Sequence, residues 1–177
     1  SVTIPNSVTS IGEAAFQNCT ELTTANFNAT SCSKMGPYQY PVFNNCPKLT
    51  TVNIGDNVQK IPDYAFYGCT GLTAFYGKFA SENNRYLIIN GSLKWFAQSG
   101  ITEYTIPNNT TSIGERTFAE CSGLTSITIP NSVTTIGDRA FLYCTGLTSV
   151  TIPNSVTSIG EAAFANCTDL TTVDFNA

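Results

Sequence analysis

Cysteine and carboxylate side chains are the groups in this chain best suited to covalent, redox or metal chemistry: there are seven cysteines and 12 acids, and no histidine. Six of the cysteines occupy one element, Phe-x-x-Cys-x-x-Leu, at Phe16/Cys19/Leu22, Phe43/Cys46/Leu49, Phe66/Cys69/Leu72, Phe118/Cys121/Leu124, Phe141/Cys144/Leu147 and Phe164/Cys167/Leu170. If these elements stack like strands, about 5 Å apart, the Cα separation would suit a disulfide, but parallel Cβ vectors would hold the sulfurs side by side instead of converging. Reduced, buried thiols acting as small hydrophobes are therefore expected at these six positions. Cys32 lies outside the element and is the candidate for a reactive or cross-linking thiol. Structural zinc favours close pairs such as Cys-x-x-Cys, and the sequence has none. Without histidine no Ser-His or Cys-His nucleophile pair can form. Five acids, Glu13, Asp63, Glu115, Asp138 and Glu161, share one position after Ile-Gly or Ile-Pro. An acid there suits the start of a short helical turn, whereas calcium needs six to eight oxygens from a dense acidic loop. No catalytic residue, no metal site and no cofactor are expected, and the chain reads as a non-enzyme.

What positions these groups is a repeat. The unit LTxVxIPxxVTxIGxxAFxxCTx recurs, and Cys46 to Cys69, Cys121 to Cys144 and Cys144 to Cys167 are each 23 residues apart. One such unit cannot bury its own apolar face and must stack on its neighbours. In Leu147–Ile152 the alternation of Val150 and Ile152 with Ser149 and Thr151 reads as a strand that Pro153 ends. Equivalent strands centre on Thr3, Asn26, Asn53, Thr105, Thr128, Thr151 and Asp174, and one strand per coil makes them parallel. The following Gly160-Glu-Ala-Ala-Phe164 reads as about one helical turn, too short to hold without packing.

Two places break the period. Four extra residues lie between Phe27 and Phe43; counting back from Phe43 puts Met35 and Tyr38 in the slots of Val8 and Ile11, and the surplus within Ala29 to Lys34. The second break, about 73–101, lacks the Phe-x-x-Cys element. Within it Tyr86–Ile89, Asn90-Gly91 and Ser92–Phe96 read as a hairpin, because Asn-Gly tolerates the positive φ of a type I′ turn.

Composition limits the partners. The 177 residues are 42% hydrophobic and only 11% charged, with a net charge of -4. That is enough apolar material for a core, and one domain spanning 1–177 is expected. No apolar run reaches membrane-spanning length, and no basic patch is available to neutralise phosphates, so neither a membrane span nor nucleic acid binding is expected.

The motif Ile-Pro-x-x-Val-Thr-x-Ile-Gly-x-x-Ala-Phe-x-x-Cys-x-x-Leu, in Ile129–Leu147 and Ile152–Leu170, resembles the repeat of the BspA-like leucine-rich-repeat proteins found on the surfaces of host-associated bacteria and some protists. The segment from Asn84 to Pro107 is similar to an atypical repeat such proteins often carry. Thr110 where Val is usual, Pro62 after Ile61, and the insertion near Cys32 are departures from the pattern. The resemblance implies an α/β right-handed leucine-rich-repeat solenoid with a parallel β-sheet on its concave face, short helical turns on the convex side, and one irregular repeat holding the hairpin. It also implies display at the cell surface or secretion, and a protein-binding or adhesion module with an extracellular or host protein as partner. A passive spacer or targeting array attached to a catalytic domain is the alternative.

Solenoids bind partners on their regular faces, so the uncharged row Asn26, Asn53, Thr105, Thr128 and Thr151 is the candidate surface. Tyr40, Tyr76, Tyr86 and Trp95, assigned to the irregular segments, are the alternative, since Tyr and Trp are enriched among interface anchors. Both ends open in mid-repeat without a polar cap, which leads us to expect a fragment of a longer solenoid and end-to-end self-association.

Overall fold

The computed structural model describes residues 1–37 and 39–175. Two compact units make up the chain, Ser1–Tyr86 and Leu87–Ala177. Each is a stack of coils whose long strands pair in parallel.

In the first unit the strands are β1 (Val2–Ile4), β2 (Ser10–Ile11), β3 (Thr24–Phe27), β4 (Lys34–Met35), β5 (Thr51–Ile54) and β6 (Ala74–Gly77). β1, β3, β5 and β6 form one sheet, and β2 pairs with β4 on a second side. Alternation sets the faces: Ala25, Phe27, Val52, Ile54 and Phe75 are buried, while the residues between them point outward. The register aligns Thr3 with Asn26, Asn26 with Asn53 and Asn53 with Tyr76. Tyr76 therefore stands on the regular sheet: the break in the repeat starts after β6, not at residue 73.

The insertion sits differently from the sequence count. Ile11 pairs with Met35, so Met35 fills the slot of Ile11 and not that of Val8. One extra residue has entered by Ser33, whose hydroxyl donates to the Thr9 carbonyl 24 residues back. By Asn45, bonded to Asn18, the offset has grown to 27. Tyr38, expected in a core slot, lies outside the described residues. The same offset of 24 brings Cys32 opposite Val8, and it is buried there at 1% exposure. A small apolar thiol has replaced valine.

The second unit holds β7 (Tyr86–Ile89, starting at the last residue of the first unit), β8 (Ser92–Phe96), β9 (Glu103–Thr105), β10 (Ser112–Ile113), β11 (Ser126–Thr128), β12 (Thr135–Ile136), β13 (Ser149–Ile152), β14 (Ser158–Ile159) and β15 (Thr172–Phe175). β9, β11, β13 and β15 form one sheet; β7, β8, β10, β12 and β14 form another. The hairpin is present: Asn90 and Gly91 both take positive φ, 52° and 78°, as a type I′ turn requires.

The expected helical turns are absent. Among the described residues there is no α-helix, and the fold is all-β. The cause is local. After the acid of each coil comes a left-handed residue, Arg116 at φ 54° and Arg139 at φ 54°, and a second follows four positions on, Glu120 at 65° and Tyr143 at 60°. Two such residues cannot lie in one right-handed turn. Their backbone groups bond between coils instead: the N–H groups of Arg116, Phe118 and Glu120 donate to the carbonyls of Asp138, Ala140 and Leu142 at 3.1, 2.8 and 2.7 Å. Between the sheets and this ladder runs an aromatic spine, with Phe141 stacked on Phe118 at 5.0 Å and on Phe164 at 4.9 Å.

Candidate functional site

The strand face of the second unit is a row of hydroxyls. Thr105 lies opposite Thr128, Ile127 opposite Val150, and Thr151 opposite Asp174, which brings Thr128 beside Thr151. All three threonines are exposed, as are Ser126 and Ser149 two positions earlier on their strands. Buried Ile127 and Val150 behind them fix the side-chain direction, since a one-residue slip would turn the apolar set to water. The row is thus rigid, short-chained and uncharged between Glu103 and Asp174 at its corners.

On the first unit the corresponding face carries amides. Asn26 Nδ2 donates to Thr3 Oγ1 at 3.1 Å, and Asn53 Nδ2 donates to Asn26 Oδ1 at 2.7 Å. This ladder uses one donor and one acceptor between neighbours and leaves the remaining amide atoms of each half-buried side chain for solvent or a ligand. Asn26 and Asn53 therefore lie together on one unit, and Thr105, Thr128 and Thr151 on the other.

The aromatic alternatives are not one set. Tyr40 is 57% exposed beside the turn at residues 41–45, Tyr76 is 46% exposed at the edge of the amide row, Trp95 is half-buried on β8, and Tyr86 is buried at 6%. Burial raises the Tyr86 phenol above its ordinary range, with a smaller push from Glu82, and the residue presents no ring to a partner.

The thiols are structural. All seven cysteines are free. The Cys46, Cys144 and Cys167 thiols each donate to a phenylalanine carbonyl of the preceding coil, Phe16, Phe118 and Phe141, at 3.1 Å. Cys19 and Cys167 are only half-buried because they lie in the end coils. Burial pushes Cys69 well above the ordinary thiol range, and hydrogen bonding with Cys121 followed by burial does the same to Cys144. Cys32, the candidate for a reactive or cross-linking thiol, is buried, donates to the Lys34 carbonyl at 3.4 Å, and has its pKa raised by desolvation. A thiol that stays protonated is a poor nucleophile, so the reactive reading of Cys32 falls.

Asp138 and Glu161 act between coils, and with no helix among the described residues none of the five acids caps one. Asp138 Oδ1 accepts the Glu161 backbone N–H at 2.8 Å, and Arg139 pairs with Glu161 at 3.0 Å. Among the described residues no three His, Cys, Asp or Glu side chains gather to hold a metal ion, and no helix is long and apolar enough to cross a membrane.

Comparison with known proteins agrees with this architecture. The family model described as BspA type leucine rich repeat region matches residues 1–85 and 92–177 in six copies. A leucine-rich repeat protein from Eubacterium ventriosum is 26% identical with a TM-score of 0.67, over 99% of this chain and 60% of that one. One from Bacteroides ovatus is 25% identical with a TM-score of 0.52, over 99% of this chain and 42% of that one. The pneumococcal vaccine antigen PcpA is alike in fold alone, at 15% identity and a TM-score of 0.52, over 98% of this chain and 61% of that one. The chain spans less than two thirds of each of these structures. No curated protein sequence matches it.

Proposed function

The chain belongs to the BspA-type leucine-rich-repeat family, and on that premise we propose that it is a non-catalytic, surface-exposed protein-binding and adhesion module acting as one leucine-rich-repeat domain. The observation that carries the reading is the exposed row Thr105, Thr128 and Thr151, held in register over a buried aliphatic row. Such a surface suits protein recognition: short hydroxyl side chains lose little rotamer entropy on binding, and each hydroxyl donates and accepts. An extracellular or host protein is the partner that display at the cell surface or secretion implies. Asn26 and Asn53 extend the candidate surface on the first unit, and exposed Tyr40 and Tyr76 with half-buried Trp95 are the alternative anchors.

The test is saturable capture of purified extracellular-matrix and plasma proteins by the immobilised chain, compared with a Thr128→Arg/Thr151→Arg variant. Capture that is lost in the variant at an unchanged melting temperature supports the strand face. Capture unchanged by the variant moves the site to the exposed aromatics, and no capture at all favours the spacer.

A further inference from the structure

At the end of the long strands each coil must turn a corner, and the two units do it differently. In the second unit the corner residue, two positions past Thr105, Thr128 and Thr151, is proline each time: Pro107, Pro130 and Pro153. In the first unit the equivalent positions, one past the paired Ile4, Phe27 and Ile54, hold Pro5, Asn28 and Gly55. At this corner, where two of the three residues are not proline, lies a cleft of about 540 Å³, a volume within the range of small-ligand sites, lined by Thr3, Asn6, Asn28, Thr30, Asp56 and Asn57 beside Pro5 and Gly55.

The cleft is built, not merely vacant. Gly55 has no side chain, and a β-carbon there would come within 2.5 Å of Asn28 Oδ1, so glycine is what lets the Asn28 carboxamide lie across the corner. The floor is tied by the ladder: the Asn28 N–H donates to the Ile4 carbonyl at 3.0 Å and the Gly55 N–H to the Phe27 carbonyl at 2.9 Å. The Thr30 hydroxyl donates to the Asn6 carbonyl at 3.3 Å. From Thr3, at the edge of the cleft, the amide row runs through Asn26 and Asn53 to exposed Tyr76, three strand spacings or about 14 Å away and one strand beyond the coil of Asp56.

The lining selects the ligand. Three carboxamides and two hydroxyls both donate and accept, and one carboxylate, Asp56, accepts. No lysine or arginine lines the cleft to hold an anion, and Pro5 is its sole sizeable apolar lining residue, too little to hold a lipid or an apolar side chain. A ligand dense in hydroxyl groups, each of which donates and accepts, matches that lining, and its C–H face can rest on an aromatic ring such as Tyr76. We propose that this corner of the first unit binds a neutral saccharide, with Asn6, Asn28, Asp56 and Asn57 engaging its hydroxyls and Tyr76 flanking it. The site goes beyond the protein-binding reading and does not depend on it.

Calorimetric titration of the whole chain, produced without glycans, with a panel of neutral di- to tetrasaccharides tests this, alongside calcium chloride alone. Binding of at least one saccharide at millimolar affinity or better is expected, weakened about tenfold in Asn28→Ala and in Asp56→Ala, the loss expected for one good hydrogen-bonding group. Both residues are exposed, so melting temperature stays put. The Thr128→Arg/Thr151→Arg variant keeps its saccharide binding, which separates this site from the protein-binding row. Absence of binding across the panel, unchanged affinity in both corner variants, or binding of calcium alone that no saccharide accompanies would overturn the proposal.

Discussion

The first unit carries both an insertion and a corner that departs from the repeat, whereas residues 102–175 of the second keep their period. The consequences show in the spine and at the corners. In the second unit Phe118, Phe141 and Phe164 stack at 5.0 and 4.9 Å with rings within 1° and 3° of parallel. In the first, Phe16 and Phe43 stack at 5.3 Å and 11°, Phe43 and Phe66 at 6.4 Å and 18°, and Phe27 meets Phe66 edge-on at 85°. Near-identical coils reproduce near-identical contacts, whereas the first unit's looser pairing includes Phe43 and Phe66, only 23 residues apart, so coil-to-coil sequence differences and not the insertion alone loosen it. Strict repetition yields a uniform surface, the threonine row, and departure from it yields a shaped one, the polar corner.

The largest effect expected from that contrast lies in the spine. Phe141→Ala removes a fully buried ring sandwiched between two others and is expected to cost about 3 to 5 kcal/mol in urea unfolding. Phe16→Ala, half-buried against Phe43, is expected to cost about 2 kcal/mol. Equal losses would remove the distinction between inner and end coils.

Next comes the glycine after the repeat isoleucine. A β-carbon on Gly137 would lie 2.8 Å from the Glu115 nitrogen of the coil before, while at Gly12, in the first coil, it meets nothing within 4 Å. Gly137→Ala is therefore expected to cost about 2 kcal/mol and Gly12→Ala less than about 0.5 kcal/mol, by thermal melting. Similar losses would mean that backbone conformation, not coil stacking, demands the glycine.

The thiols are what the two units share. Burial holds Cys69 protonated in the folded chain far above its ordinary value of 9.0. Above that pH the unfolded thiol ionises and the folded one does not, so the unfolded state binds fewer protons and stability falls as pH rises. Cys69 alone is expected to contribute a loss of about 1.4 kcal/mol by pH 10, absent below pH 8 and removed in Cys69→Ala. A flat stability profile from pH 8 to 10 would show the thiol to be hydrated.

Smallest in size is a gain. Thr110 stands where the repeat usually has valine, is fully buried, and its hydroxyl finds no hydrogen-bond partner among the described residues. Thr110→Val is expected to stabilise by about 1 kcal/mol, because an unsatisfied buried hydroxyl is removed at nearly constant shape. Destabilisation would reveal a partner for that hydroxyl.

Much of this was legible in the residues. The strand centres at Thr3, Asn26, Asn53, Thr105, Thr128, Thr151 and Asp174 all fall within strands, because alternation ending in proline or a polar turn marks them directly. Asn90-Gly91 announced its hairpin because only a few residues tolerate two positive φ values. The helical turns misled because the left-handed positions that prevent them are filled by Arg116 and Arg139 as well as by asparagine, so composition does not flag them. Met35 and Cys32 were misplaced because a count fixes how many residues are extra and not where the backbone loops out. The polar corner is written in the sequence as Pro5, Asn28 and Gly55, yet only the register shows that these three are neighbours.

The claim that the threonine row receives a protein is tested most directly by cross-saturation NMR on the labelled chain with a captured, protonated partner. Attenuation centred on the amides of residues 103–105, 126–128 and 149–151 is the predicted result. Attenuation centred instead on the turns at 116–120 and 139–143, with those strands untouched, would contradict it.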